Sequence, residues 1–474
     1  MRKVQRMRCG GRDARLSPRL LALASGIAVA AAAVPAAVAA AGSAARAGGT
    51  WPGYLNGPLH SSYARTQTAI TPSSVPALVR KWHFRGGFLA SPTVAAGAVF
   101  IGTDAGFFYK LDESTGIVLA KRFIGFQPKK TCRANGVVDT ATVAVDPRDH
   151  QETVYVGGPD GYLYALRASD LALKWKSVIA IPSPKTSNYF DWSSPTVANG
   201  RVYIGVSSHC DVPLVRGGVI SYDQVTGRKS AEFFTVPKGA PGGSVWSSVA
   251  VDRRGDVYAS TGNGPTAAPR LGYSESIVKL SPKTLAPLGY FKIPGSEVTY
   301  DADFGGSPTI FGSYVGACNK NGIYYAVRRS TMALAWGRRI GAASRSGTYA
   351  QCSAAAVYDG RHLFFGGTAV TIRGRAFRGS VQERSTDGRL LWETGLPDGV
   401  IGSPSADGGG VIAVGTFDNA APNAVYLVSA RTGRIVRRLI RGSDDFAQSV
   451  FAGGWLFTAN GYGLNAWGPA GRAS

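Results

Sequence analysis

Asp211, Trp246, Asn263, Asp301 and Lys320 are the residues of this chain whose types point to chemistry. Two carboxylates and an amide oxygen suit a hard cation such as Ca²⁺, which takes oxygen ligands. A tryptophan face with a lysine beside it suits a planar, anionic cofactor. No two of these residues form a local motif, so their chemistry depends on whatever element folds them together. Each also has a plain structural reading. Asp211, Asp301 and Asp303 read equally as turn or loop aspartates, and Asn263 before Gly264 as a turn pair. Trp246 reads as packing between repeats and Lys320 as a solvated loop charge. Only their joint placement separates the two accounts.

That placement follows from a repeat. The stretch 91–116, SPTVAAGAVFIGTDAGFFYKLDESTG, reads as three short strands, each ending on residues that tolerate a tight turn, and IVLAKRF follows as a fourth. First-strand signatures recur from Ser91, Thr140, Ser194, Ser247, Ser307, Ser353, Ser403 and Ser449, each followed in register by a second strand such as TVYVGGPDG or RVYIGVSSH. Eight copies at this spacing predict an all-β, eight-bladed β-propeller of four-stranded antiparallel blades. The eighth copy lacks a fourth strand, and LVRKWHF at 78–84 is available to fill the gap and close the ring. In a blade, the link from second to third strand and the loop approaching the first strand emerge on the same face. Asp211, Asn263 and Lys320 fall on the former in copies three, four and five. Trp246 and Asp301 fall on the latter in copies four and five.

At these residues the chain resembles the pyrroloquinoline-quinone (PQQ) propellers, with AVFIGTDAGFFYKLDESTG as its best repeat. Its middle third resembles the quinoprotein alcohol dehydrogenases, polyvinyl alcohol dehydrogenase in particular, without a haem segment. Four stretches carry this: GVSSHCDVPLVRGGV (205–219), GGSVWSSVAVD (242–252) with VYASTGNG (257–264), YDADFGGSPTIF (300–311) and NKNGIYYA (319–326). The resemblance implies bound PQQ and Ca²⁺, an alcohol substrate and a separate electron acceptor. It implies Asp211, Asn263 and Asp301 as metal ligands, with Asp301 also the catalytic base. Trp246 matches the tryptophan on which the quinone stacks and Lys320 the basic residue near its reactive carbonyl. Asp303 is a weaker match in the place of Asp301. The chain departs from the family at its first ligand, often glutamate, and around Cys132, where two adjacent cysteines and an arginine are usual; here Asn135 stands in the arginine's place.

Residues 1–47 read as a signal peptide: a basic leader, a long apolar stretch and small residues at Ala45-Arg46-Ala47. A retained anchor is the alternative, since the apolar run is long. Residues 48–77 read as an extended lead-in, with Trp51 and Tyr54 as anchors, and 78–474 as the propeller. These features predict a secreted or cell-envelope protein with no stable membrane span after cleavage. The formal charge is +23, and removing the leader's eight Lys/Arg and one Asp leaves +16. Such a surface attracts acidic polymers, membranes or anionic small molecules, but nothing resembles a nucleic-acid module, and the charge reads first as a solvated basic surface. The four cysteines beyond the leader predict two disulfides, Cys132–Cys210 and Cys318–Cys352, from adjacency of copies. No CxxC, P-loop, dinucleotide fingerprint or nucleophile elbow is present. Two non-enzymatic alternatives share the repeat: an envelope assembly scaffold, and a propeller that binds a sugar polymer.

Overall fold

The computed structural model describes residues 49–127, 134–183, 188–345, 351–417, 423–439 and 446–470. The expected signal peptide and Cys132 lie outside the described residues. Eight antiparallel sheets follow one another along the chain. Blade 1 comprises Thr93–Ala95, Ala98–Gly102, Phe107–Asp112 and Val118–Phe123. Blades 2 to 7 occupy 142–178, 196–234, 250–292, 309–339, 357–396 and 405–439. Blade 8 takes Val450–Ala452, Trp455–Asn460 and Gly463–Pro469, and its outer strand is Leu78–Arg85, paired antiparallel from Leu78↔Pro469 to Arg85↔Gly463. Inner strands are buried on both faces, whereas outer ones such as Val118–Phe123 alternate towards solvent. Hydrophobic clusters fill the spaces between neighbouring blades, as a ring requires.

The S-x-T signature is explained by what its hydroxyls do. The backbone N–H of Ser91 donates to Thr140 Oγ1, Thr140 N–H to Ser194, Ser194 N–H to Ser248 and Ser248 N–H to Ser307, all at 2.9–3.0 Å. Ala355 N–H donates to Ser403, and Gln448 N–H to Ser91 at 2.8 Å, bringing the belt back to its start. Two positions further on, Thr93, Thr142, Thr196 and Thr309 donate to a carbonyl of the next blade. At the remaining junction Gln448 Nε2 donates to the Pro404 carbonyl at 2.8 Å, so each blade is stitched to its neighbour at the axis by groups a lone strand would leave unpaired. Three copies sit in a different register from the expected one. The belt residues are Ser248, Ala355 and Gln448, not Ser247, Ser353 and Ser449, because these worn copies lack the Thr that marks the strand's start.

The segment before blade 8's outer strand runs across the axis at the end away from the approach loops. Carbonyls of Gly49, Trp51, Pro52, Pro58, Leu59, Ser61 and Ser62 accept N–H groups of Gly453, Val94, Val143, Val251, Ile310, Tyr358 and Ala406. Tyr63–Ala64 then adds a parallel fifth strand to blade 7. Among the described residues these backbone bonds tie every blade except the third to this strap. Trp51 is wholly buried, and the Tyr54 hydroxyl lies 3.2 Å from Ser403 Oγ inside a narrow axial cavity lined with hydroxyls. Cys318 and Cys352 form a disulfide between blade 5 and the approach to blade 6, with Cα atoms 5.1 Å apart. No helix among the described residues is long and apolar enough to cross a membrane.

One feature of the core is unbalanced. Asp139 and Asp191, on the approaches to blades 2 and 3, are buried and converge on Gly157, where a Cβ would lie 1.4 Å from Asp191 Oδ2. Gly157 N–H donates to Asp139 at 2.6 Å, while Asp191 has only the Ser193 backbone N–H working against its burial. Burial raises both carboxyls well above their usual range, and Asp139 and the nearby Asp160 raise Asp191 further. Tyr222, its hydroxyl raised by burial and by Asp191, packs nearby. Between the ordinary carboxyl pKa and these raised values the folded state holds more protons than the unfolded one, so stability falls as pH rises. We expect wild-type stability to decline from acid to mildly alkaline pH, and Asp191→Asn to flatten that decline. The variant gains about 1–3 kcal/mol at the alkaline end, read by denaturant unfolding across the pH series.

Candidate active site

The links expected to converge do so. Asp211 stands on the second-to-third link of blade 3, Asn263 on that of blade 4 and Lys320 on that of blade 5. Trp246 and Asp301 lie on the approaches to blades 4 and 5. Lys320 is the hub. Its Nζ lies 2.9 Å from Asp301 Oδ2 and 3.0 Å from Asp303 Oδ2, and 5.1 Å from the Trp246 ring centroid. Asn263 ties the other carboxylate oxygens together: its backbone N–H donates to Asp303 Oδ1 and its Nδ2 donates to Asp301 Oδ1 at 2.9 Å. Its Oδ1 accepts the Ala302 N–H at 3.0 Å, which fixes the amide's orientation. Asn319, in the blade 5 turn, holds the Ala302 carbonyl, while Lys320 N–H holds that of Asp303. The DAD triplet is therefore clamped by two turns of neighbouring blades.

Asp211 accepts the Ser208 hydroxyl, which is itself bonded to Ser244 on the approach to blade 4. Burial raises the Asp211 carboxyl and Asp301 raises it further, against the pull of Ser208 and Lys320. For Asp301 burial is outweighed: Lys320 and Asn263 hold its carboxyl below the usual range, and it stays ionised. Asp303 is the deeper group, and burial pushes it up to about 7 despite Lys320. Burial works against the Lys320 ammonium, but Asp303 and Asp301 more than offset that and raise its pKa.

Asp211, Asp303 and Lys320 line one side of a cavity of about 320 Å³, and Leu89, Trp192, Trp246, Phe417 and Phe446 line much of the rest. Asn263 and Asp301 stand behind this wall, bonded into it. Cys210 also lines the cavity; its expected partner Cys132 falls outside the described residues. Trp246, Asn263, Asp301, Asp303 and Lys320 thus form one connected group, and Asp211, bonded to Ser208, lines the same cavity as Trp246, Asp303 and Lys320. Trp192, Phe417 and Phe446 were not anticipated. Trp192-Ser193-Ser194 repeats Trp246-Ser247-Ser248 one blade earlier, a signal present in the sequence. Phe446 sits on the approach to blade 8, where the same logic applies.

The residues fit a planar anion beside a cation. Three carboxyls face one ammonium, so the group is short of positive charge, and every free donor is a hard oxygen. Among the described residues no group of three or more His, Cys, Asp or Glu is arranged as a ligand set; here an amide, Asn263, would be the third member. Trp246 Nε1 is buried with no hydrogen-bond partner, which leaves a donor to spare on the edge of its ring.

Comparisons with known proteins bear on the fold. A repeat family described as outer membrane protein assembly factor BamB matches residues 77–230. Quinohemoprotein alcohol dehydrogenase ADH-IIG of Pseudomonas putida is 30% identical over 215 residues, 44% of this chain and 29% of the relative. The matched stretch is therefore under a third of that relative's length. The quinohemoprotein alcohol dehydrogenase of Comamonas testosteroni shares the fold, with a TM-score of 0.71 over 90% of this chain and 81% of that one at 17% identity. BamB of Moraxella catarrhalis does so less closely, with a TM-score of 0.54 over 82% and 99% at 15% identity. The chain is an eight-bladed propeller whose sequence and fold are similar to those of quinoprotein alcohol dehydrogenases.

Proposed function

We propose that this protein is an exported alcohol dehydrogenase that uses PQQ and Ca²⁺. The observation that carries the reading is the Asp301–Lys320–Asp303 cluster beside Trp246, set in a cavity that an assembly scaffold has no need to build. Trp246 gives the quinone a face to stack on, and Lys320 offers a charge to its oxygens. Asp211, Asn263 and Asp301 supply the oxygens for the metal. Bound there, PQQ supplies a hydride acceptor and Ca²⁺ a Lewis acid. Asp301 takes the alcohol's proton. Lys320 and Asn263 keep it ionised; Oδ1 accepts both Asn263 Nδ2 and the Asp303 N–H, and Oδ2 retains a lone pair beyond its bond to Lys320. The walls of Leu89, Trp192, Phe417 and Phe446 exclude water from the reacting carbon.

The test is reconstitution of purified protein with PQQ and Ca²⁺, followed by dye reduction with a panel of primary and secondary alcohols. PQQ binding, read by quenching of tryptophan fluorescence, is expected in the micromolar range or tighter. Trp246→Ala weakens it about tenfold, the worth of one good aromatic face. Absence of PQQ binding by the intact protein leaves the second reading, a cofactor-free envelope scaffold. That reading is favoured by the family match over 77–230 and by the BamB fold likeness.

A further inference from the structure

The side wall of the ring carries its charge and its apolar surface unevenly. The outer strands of blades 8, 1 and 2, Leu78–Arg85, Val118–Phe123 and Leu173–Val178, are neighbours on the rim and hold seven Lys/Arg and no Asp or Glu. Arg80, Lys81, Arg85, Lys121 and Lys176 among them are exposed. The densest run of exposed large apolar side chains among the described residues lies in the same strip. Within residues 117–126 it comprises Ile117 (64% exposed), Val118, Leu119 (53%), Phe123 (54%) and Phe126 (50%). The rim elsewhere differs. The outer strand of blade 3 has no exposed large apolar residue and carries Glu232, and that of blade 6 carries Glu393.

The strip is ordered. Phe107, Phe123 and Phe126 form a run of edge-on rings with centroids 5.1 Å and 5.6 Å apart, and Lys121 Nζ lies 5.7 Å from the Phe107 centroid. Val118–Phe123 ends its sheet, paired only with Phe107–Asp112, and runs up the rim for about 20 Å. Charges on an outer strand keep it from pairing with another sheet, which accounts for Lys121 and Arg122 but not for Ile117, Leu119 and Phe123. An apolar patch of this kind marks a contact surface. A second copy of the chain covers it poorly: paired edge to edge, Lys121 and Arg122 of the two copies would crowd one another. An acidic polymer would engage the lysines and leave the phenylalanines idle. A lipid surface with anionic headgroups engages both.

We propose that the rim of blades 8, 1 and 2 rests on an anionic lipid surface. Ile117, Leu119 and Phe123 enter the headgroup layer, and Lys81, Arg85 and Lys121 meet the phosphates. The ring then lies on its side, with the mouth of the cavity opening along the membrane plane. This docking goes beyond the proposed oxidation and is independent of it; it is measured with neither PQQ nor Ca²⁺ present.

The probe is vesicle flotation of the full chain, with vesicles of phosphatidylcholine alone or of equal parts phosphatidylglycerol and phosphatidylcholine. Wild type is expected to float with the anionic vesicles and to bind the neutral ones at least about tenfold more weakly. The triple variant Ile117→Ser, Leu119→Ser, Phe123→Ser should bind the anionic vesicles at least about tenfold more weakly than wild type. Lys81→Gln with Lys121→Gln should bind them about 30-fold more weakly. Both variants change only exposed side chains and should keep the thermal midpoint of wild type. Leu288→Ser with Leu334→Ser, on the outer strands of blades 4 and 5 across the ring, should float as wild type does, which separates the strip from a general loss of apolar surface. Equal flotation of wild type and the triple variant overturns the proposal, and so does a wild type that does not distinguish the two vesicles. If the triple variant instead abolishes a concentration-dependent self-association and floats unchanged, the strip belongs to a second copy. A wild type that binds heparin through Lys81 and Lys121 but floats with neither vesicle assigns the strip to an acidic polymer and likewise overturns the proposal. Failure of PQQ to bind would leave the flotation result standing.

Discussion

Asp301→Asn is expected to lower PQQ- and Ca²⁺-dependent turnover by about 10²–10⁴-fold, the worth of a positioned general base. The amide keeps the volume of the carboxylate and one acceptor oxygen, so the fold should lose only about 1 kcal/mol, one hydrogen bond to a neighbour. The discriminating control is Asp303→Asn. Asp303 also bonds Lys320, lines the cavity where Asp301 stands behind the wall, and has its carboxyl pushed up to about 7. Rates are measured at saturating alcohol by dye reduction, with PQQ occupancy checked by fluorescence. If Asp301→Asn turns over like wild type while Asp303→Asn does not, the proton goes to the deeper carboxylate and the assignment of roles is reversed.

Lys320→Met is expected to be the most damaging single change to the site's structure. The ammonium is the cation both Asp301 and Asp303 touch, and Asp303 is almost fully buried, at 4% exposure of its side chain. Removing one partner of a buried ionic group leaves the other charges uncompensated, at about 3–5 kcal/mol. Denaturant unfolding reads that loss directly, and PQQ quenching should vanish with it because Trp246 loses the charge above its ring. Lys320→Arg keeps the charge and should recover most of the stability. A methionine variant as stable as wild type would mean that the carboxylates are not held by this lysine.

The ring was readable because a blade is local: SPTV, AVFIG and FFYKLD lie within a few turns of one another, and their alternation survives in every copy. The site was readable only through the ring. Asn263 and Asp301 are 38 positions apart and carry no shared spacing, yet both fall at the same kind of link once the copies are aligned. Burial was not readable. Asp303 resembled a spare aspartate, and only its depth and its bond to Lys320 give it weight. The Asp139–Asp191 pair was equally hidden, since VVDTATV and YFDWSSPTV each look like an ordinary turn before a strand. Trp192 was within reach, because WSS occurs twice, but a tryptophan before a strand is common enough to pass as packing. In the worn copies the strand register slipped where Thr gave way to Ala or Val.

The strap across the axis bears on how this chain comes to be folded. Ser62 waits for Ala406, Gly49 for Gly453 and Leu78 for Pro469, so these groups have no partner until blades 7 and 8 have been made. Contacts of such long sequence separation form slowly. An emerging chain can build blades one by one, yet it has no means of locking the circle until the strands between Ser405 and Pro469 are present.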